Sequence, residues 1–258
     1  MTSADKFDNH IGDWLSGMEL PWNKLRYTLF QAHLRRHLPE NQPLKILDAG
    51  GGNGQDAIPL ALAGHEVTLV DYSKEMLAAA RQAIDHHQVN ITLHEADIFM
   101  IPHLFPEPIF DVVISHNVIQ YVDDMPGAVK AICAPLKPGG IVSIININRY
   151  SDTLRAALLR QDLDEAFDQL GVRETVSPLF ETPIKRYSGE EMIPALEMAG
   201  CELVGHYGVR CINDYIADNS LKSDPAFFAR LEKLELALSD QYPYYLIARF
   251  FQLIGQKK

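Results

Sequence analysis

The sequence predicts an α/β protein: a doubly wound, seven-stranded, mostly parallel sheet with one antiparallel strand and a helical insertion. Three observations carry this reading. Short apolar stretches alternate with helical patterns from Lys45 to Ile147. A run of glycines follows the first apolar stretch directly. The stretches are apolar at successive residues, as expected of strands covered on both faces.

The elements follow in order. Leu25, Leu29, Phe30 and Leu34 stand near helical spacing and predict a helix over Trp22–Leu38, within an N-terminal helical segment 1–42. Lys45–Asp48 reads as the first strand, Gln55–Ala63 as a helix, and Glu66–Val70 as the second strand, closed by Asp71. Ser73 is an N-cap for a helix reaching His87. Val89–His94 and Phe110–Ser115 read as strands three and four, and Met125–Leu136 as a helix. Lys137-Pro138-Gly139-Gly140 reads as a sharp turn before a fifth strand, Ile141–Ile147. Regularity then breaks over about 149–187, where two helical patterns and a loop with Pro178 and Pro183 read as a substrate-side insertion. A helix over Gly189–Ala199, a strand over Glu202–Val209 and a helix over Pro225–Leu238 resume the pattern. Tyr244–Ile254 alternates weakly and is expected as the last strand, antiparallel at or near the sheet edge.

At 258 residues, with 47% hydrophobic and 22% charged side chains, the chain buries a substantial core and is expected as one domain over 1–258. Its formal net charge of -11 opposes long-range attraction to phosphate backbones, which excludes unaided non-specific nucleic-acid binding. A local basic pocket remains compatible with that charge. Cys133, Cys201 and Cys211 lack the close paired spacing of a zinc site and read as buried thiols of a reducing compartment. Met1–Asp13 has no signal pattern and no apolar run is long enough to cross a bilayer, so a cytoplasmic protein without membrane attachment is expected.

The segment Leu47-Asp48-Ala49-Gly50-Gly51-Gly52-Asn53-Gly54 decides the ligand class. A strand feeding a glycine turn that opens a helix lets the backbone approach a ligand and point its N–H groups at it. A dinucleotide fingerprint needs glycine at the sixth position from Gly50, which is Gln55, so a nicotinamide oxidoreductase is disfavoured. The spacing fits G-x-G-x-G through Gly50, Gly52 and Gly54, with Asp48 in the strand before it. Asp71, in Asp71-Tyr72-Ser73, ends the second strand. It is placed either to accept from ribose hydroxyls or to cap the following helix.

This acidic-then-glycine pattern resembles the first motif of class I methyltransferases, a Rossmann-like fold, and the resemblance implies S-adenosyl-L-methionine as cofactor. It implies an adenine contact for Asp97 in Glu95-Ala96-Asp97-Ile98. It also places His116 after the fourth strand, at the catalytic rim. Further stretches make the chain similar to bacterial tRNA 5-carboxymethoxyuridine methyltransferases. These are Gly64-His65-Glu66-Val67, His116-Asn117-Val118-Ile119-Gln120-Tyr121-Val122, Gly208-Val209-Arg210 with Asp214-Tyr215, and Leu231–Glu235 followed by Tyr242-Pro243-Tyr244. Such enzymes methylate the carboxylate of a modified wobble uridine. The resemblance implies cofactor contacts at Arg26, Asp48, Gly50, Gly51, Gly52, Asp71, Tyr72, Ala96, Asp97, Ile98 and His116. Where those relatives carry a lysine-rich tract, this chain reads Gly171-Val172-Arg173-Glu174-Thr175-Val176.

An acceptor carboxylate needs a cationic clamp, and arginine supplies planar bidentate donors. Arg149, Arg186 and Arg210 are the candidates, with Tyr150 placed to stack on a base. A tRNA acceptor further requires Arg149, Arg155, Arg160, Lys185 and Arg186 to form a basic face. Two other readings remain: a small-molecule O- or N-methyltransferase with the insertion as a lid, and a non-catalytic cofactor-binding module.

Overall fold

The computed structural model describes residues 20–40, 42–177 and 182–258. The N-terminal stretch Met1–Asp13 and the loop residue Pro178 lie outside these.

Helix α1 (Pro21–Arg35) buries Leu25, Leu29, Phe30 and Leu34, the expected apolar stripe, together with His33. Strand β1 (Lys45–Ala49), helix α2 (Ala57–Leu62), strand β2 (Glu66–Asp71), helix α3 (Lys74–His87) and strand β3 (Ile91–Glu95) form the first wound half. Helix α4 (Ile101–Leu104), strand β4 (Phe110–His116), helix α5 (Met125–Cys133) and strand β5 (Leu136–Ile147) follow. Two caps behave as their residue types dictate. Ser73 accepts from the Met76 N–H at 3.1 Å, and Asp124 accepts from Gly127 at 2.9 Å ahead of α5.

The insertion contains helix α6 (Tyr150–Leu154), a π-helical turn (Arg155–Arg160), helix α7 (Leu163–Asp168) and a small antiparallel pair, β6 (Glu174–Val176) with β7 (Pro183–Lys185). Helix α8 (Gly189–Met198), strand β8 (Cys201–Val209), helices α9 (Asn219–Ser223), α10 (Pro225–Leu238) and α11 (Tyr244–Ile247), and strand β9 (Phe250–Lys257) complete the chain.

The seven strands stand in the order β3-β2-β1-β4-β5-β9-β8. Only β9 runs antiparallel to its neighbours, β5 and β8. Side chains of the central strands alternate between two apolar clusters, as the two-residue strand period requires. Leu47, Val113, Val142 and Ile144 join α5 and α8 in one cluster. Ile46, Val112, Ile114, Ile141 and Ile145 pack with α1 in the other. Both faces are therefore covered, and each fully buried aliphatic side chain contributes roughly 1.5–3 kcal/mol. Cys133, Cys201 and Cys211 are buried free thiols.

Four element expectations are corrected. The last strand starts at Phe250 rather than Tyr244, because Tyr244–Ile247 close one helical turn instead. It lies near the sheet edge as expected, one strand in, with β8 outermost. The Lys137–Gly140 turn is drawn into β5, whose register against β4 shifts between Phe110 and Val112. Strand β3 begins at Ile91, after Gln88 ends α3 in the left-handed region at φ 53°. The insertion is not wholly helical: β6 and β7 pair within it.

Candidate active site

The chain turns sharply where β1 ends. Gly50 and Gly51 hook onto β2 through the Val70 carbonyl, at 2.7 and 3.3 Å. Gly50 has φ +77°, and a Cβ there would sit 2.4 Å from Val118. At Gly51 a Cβ would meet the Asp48 carboxyl at 2.5 Å and Leu69 at 2.7 Å. Gly50 is thus needed for conformation and for space, and Gly51 for space.

Asp71 holds this loop from below. One carboxylate oxygen accepts from Gly52 N–H and the other from Ser73 N–H, each at 2.9 Å. Asp71 thus organises the turn ahead of α3, whose cap is Ser73, and also lines the cavity above. Asp97 accepts from Phe99 N–H at 2.9 Å and faces the same cavity.

That cavity has a volume of about 470 Å³, within the range of small-ligand sites. It lies at the C-terminal ends of the parallel strands, where ligands bind in open α/β sheets. Arg26, Asp48, Gly50, Gly51, Gly52, Asp71, Tyr72, Asp97, Ile98 and His116 all line it. Ala96 does not: its N–H bonds the Asp71 carbonyl at 3.0 Å and its side chain packs on the core. Asp56, Tyr27, Tyr121, Ile147 and Phe250 also line the cavity and were not read as cofactor contacts from sequence. Asp56 follows the glycine set by two residues and carried a local signal; Ile147 and Phe250 meet only through the β5–β9 pairing.

Among the described lining residues the charges are four carboxyls, Asp48, Asp56, Asp71 and Asp97, and one guanidinium, Arg26. Burial, then Asp56 and Asp71, push the Asp48 carboxyl well above the ordinary carboxylate range. Such a cavity repels a pyrophosphate and suits a ligand with two cationic groups and one carboxylate. His116 is held at both ring nitrogens, by Asp56 at 2.7 Å and Ser143 Oγ at 3.0 Å. Gln252 continues this network, donating to Ser143 Oγ at 2.9 Å and meeting His33 Nδ1 at 2.8 Å. Burial raises the Tyr27 phenol to about 12, and raises Tyr121 as well.

The acceptor-side candidates stand elsewhere. Arg149 pairs with Glu191 at 3.2 Å and lies over the Tyr150 ring, outside the cavity lining. Tyr150 is exposed and bonds Arg149. Arg210 forms a two-pronged pair with Asp214, at 2.6 and 2.5 Å. The cations of the expected basic face all stand beside carboxylates, two of them sharing one. Arg155 and Arg186 meet Asp152, Arg160 meets Glu165 and Lys185 meets Asp123.

Fold and cavity together define a class I S-adenosylmethionine-dependent methyltransferase. The profile of the "Methyltransferase domain" family matches residues 40–183. The chain is 30% identical to the tRNA 5-carboxymethoxyuridine methyltransferase of Escherichia coli K12, over 98% of this chain and 94% of that protein. It is 33% identical to the ubiquinone biosynthesis O-methyltransferase of Rickettsia akari, over 46% of this chain and 45% of that one. A crystal structure of an S-adenosylmethionine-dependent methyltransferase from Thermotoga maritima superposes with a TM-score of 0.65, at 17% identity and with both chains fully covered. The chain belongs to the methyltransferase family, and resembles the Escherichia coli enzyme over 94% of that enzyme's length.

Proposed function

We propose that the chain transfers the methyl group of S-adenosylmethionine to the carboxylate of 5-carboxymethoxyuridine at the tRNA wobble position, giving a methyl ester. The observation that supports this substrate most is the reach of the similarity. It extends beyond the shared cofactor half, through the insertion and the C-terminal strands, to cover nearly all of both chains.

The cavity fits the cofactor. Glycines 50 and 51 leave backbone where any Cβ would collide. Arg26 is the cation available to the methionine carboxylate, and Asp56, Asp71 and Asp97 favour the ammonium and sulfonium. Asp71 and Asp97 are the candidates for the ribose and adenine ends. When bound, the cofactor supplies a methyl carbon already activated for displacement. Bound there, it would offer that carbon to an acceptor oxygen in exchange for its bond to sulfur, so alignment is the main demand on the protein.

A carboxylate acceptor is ionised at neutral pH, with an ordinary pKa near 4, and needs no general base. The site is consistent with that. His116 has both nitrogens engaged, and the cavity phenols are held protonated by burial. A protonated oxygen or nitrogen acceptor would need a base that these groups do not offer. A cytoplasmic location follows from a tRNA substrate; among the described residues no helix is long and apolar enough to cross a membrane.

The test is transfer of labelled methyl to tRNA from cells lacking this enzyme, followed by nucleoside analysis. Label in the methyl ester of 5-carboxymethoxyuridine is expected, released by mild alkali. Label confined to small-molecule acceptors would overturn the substrate and leave the methyltransferase.

A further inference from the structure

A buried side-chain oxygen without a hydrogen-bond partner is costly, and in a cavity wall it is satisfied by what fills the cavity. Among the described cavity-lining residues four carry one: Asp48, Asp56, Asn117 and Gln120. Asp48 and Asp56 flank the glycine loop, and Asn117 follows His116 directly. Gln120 stands apart from them. It lies in the short helical turn Ile119–Tyr121 that follows β4, and only 4% of it is exposed.

Its carboxamide is half used. The side chains of Gln120 and Ser177 both hydrogen-bond the Tyr121 phenol. The Gln120 Oε1 has no partner, so the bond to Tyr121 is made by Nε2, which donates to the phenolic oxygen. That direction agrees with the phenol's pKa, which burial raises and the two bonds pull back. Tyr121 thus fixes the amide from one end. The oxygen at the other end can only accept, so the group that completes it carries an N–H or O–H.

The cofactor's donors have other candidate partners. Its ammonium has Asp56, its ribose Asp71 and its adenine amino group Asp97. The acceptor is what remains. Ser177 follows β6 in the insertion, so Tyr121 is where the insertion meets the rim of the parallel sheet. Ile147 and Phe250, paired across β5 and β9, belong to the same wall. Unstacked bases are read by hydrogen bonds on their Watson–Crick edges. On a uracil that edge carries one donor, the N3–H, between two carbonyl oxygens. We propose that Gln120 is a specificity-determining residue whose Oε1 accepts from the N3–H of the acceptor uracil. Cytosine has a lone pair at N3, which would face the Gln120 oxygen unpaired. The assignment rests on the 5-carboxymethoxyuridine reading above. Gln120 lines the same cavity as the glycine loop and Arg26, so base and methyl donor share one enclosure.

The experiment uses the full chain, Gln120→Met, which removes the oxygen at similar length, and Gln120→Glu, which keeps an acceptor oxygen. Each is assayed for methyl transfer to two anticodon stem-loops, one with 5-carboxymethoxyuridine and one with 5-carboxymethoxycytidine at the same position. Each is also titrated with S-adenosylmethionine. The wild type is expected to favour the uridine stem-loop about a hundredfold or more in kcat/KM. Gln120→Met should bring the two stem-loops within about tenfold of each other, and Gln120→Glu should keep the preference. Cofactor affinity unchanged in Gln120→Met shows the fold intact. A wild type that methylates both stem-loops alike would overturn the proposal, as would a Gln120→Met chain that still discriminates or a Gln120→Glu chain that does not. Weaker cofactor binding in Gln120→Met with the preference retained would assign the oxygen to the cofactor instead. A wild type that methylates neither stem-loop removes the substrate reading and this assignment with it, whereas methylation of both alike removes the assignment alone.

Discussion

Gly51 has no room for a methyl group. The Asp48 carboxyl and Leu69 stand where its Cβ would be, both under 3 Å away, and both sit on buried strands. Overpacking of this kind costs roughly 1–3 kcal/mol, and it would push the loop off the Val70 carbonyl that anchors it. Gly51→Ala is expected to lower the melting temperature by roughly 5 °C and to weaken S-adenosylmethionine binding at least about tenfold. Thermal melts and calorimetry check this; a variant that matches the wild type in both would mean that the loop has slack. Residue-scale chemistry was largely legible here, because Asp48, the glycines and Asp71 announce a strand, a turn and a strand end within their own neighbourhood. Arg149 and Arg210, read as candidate acceptor clamps, each have a carboxylate partner, which a guanidinium's place in the sequence does not announce. The Arg210 partner, Asp214, lies four residues on and was within reach of a local reading; the Arg149 partner, Glu191, was not.

At the scale of elements, α1 is joined to the sheet by a buried polar link. His33 on α1 meets Gln252 on β9 at 2.8 Å and stacks on Tyr207 of β8, with ring centres 4.4 Å apart. Burial lowers the pKa of His33 from 6.5 to about 4. The unfolded chain therefore binds this proton more readily than the folded one between those values. Stability is complete above about pH 6.5 and falls as pH drops toward 4, by about 3 kcal/mol from this group. His33→Phe should lose that slope, so denaturant midpoints of wild type and variant are expected to converge as pH falls from 6.5 to 4. Parallel curves would place the titration elsewhere. The same scale shows where sequence patterning stops. The first five strands are local apolar runs bounded by turns. Strand β9 earns its place from pairing on both sides, so its end at Lys257 depends on Val142, Glu202 and other residues remote in the chain. The β6–β7 pair is three residues long on each side, too short for a two-residue period to be visible.

The whole molecule is acidic, with a formal charge of -11, yet it is built around two charge-selective regions. Among the described residues, the cavity gathers four carboxyls against one guanidinium, and beyond Phe250 four guanidiniums meet Asp152 and Asp214. The sheet brings the two groups side by side by pairing β5, β9 and β8. That juxtaposition was not readable in sequence: Asp152 and Arg249 are 97 positions apart. The most direct measurement of the central claim is calorimetric titration of S-adenosylmethionine into the wild-type chain and into Arg26→Ala. Saturable binding at one site per chain is expected, weakened about tenfold or more when the cavity's guanidinium is removed. An absence of binding to the wild type, or equal affinity in the two proteins, would contradict it.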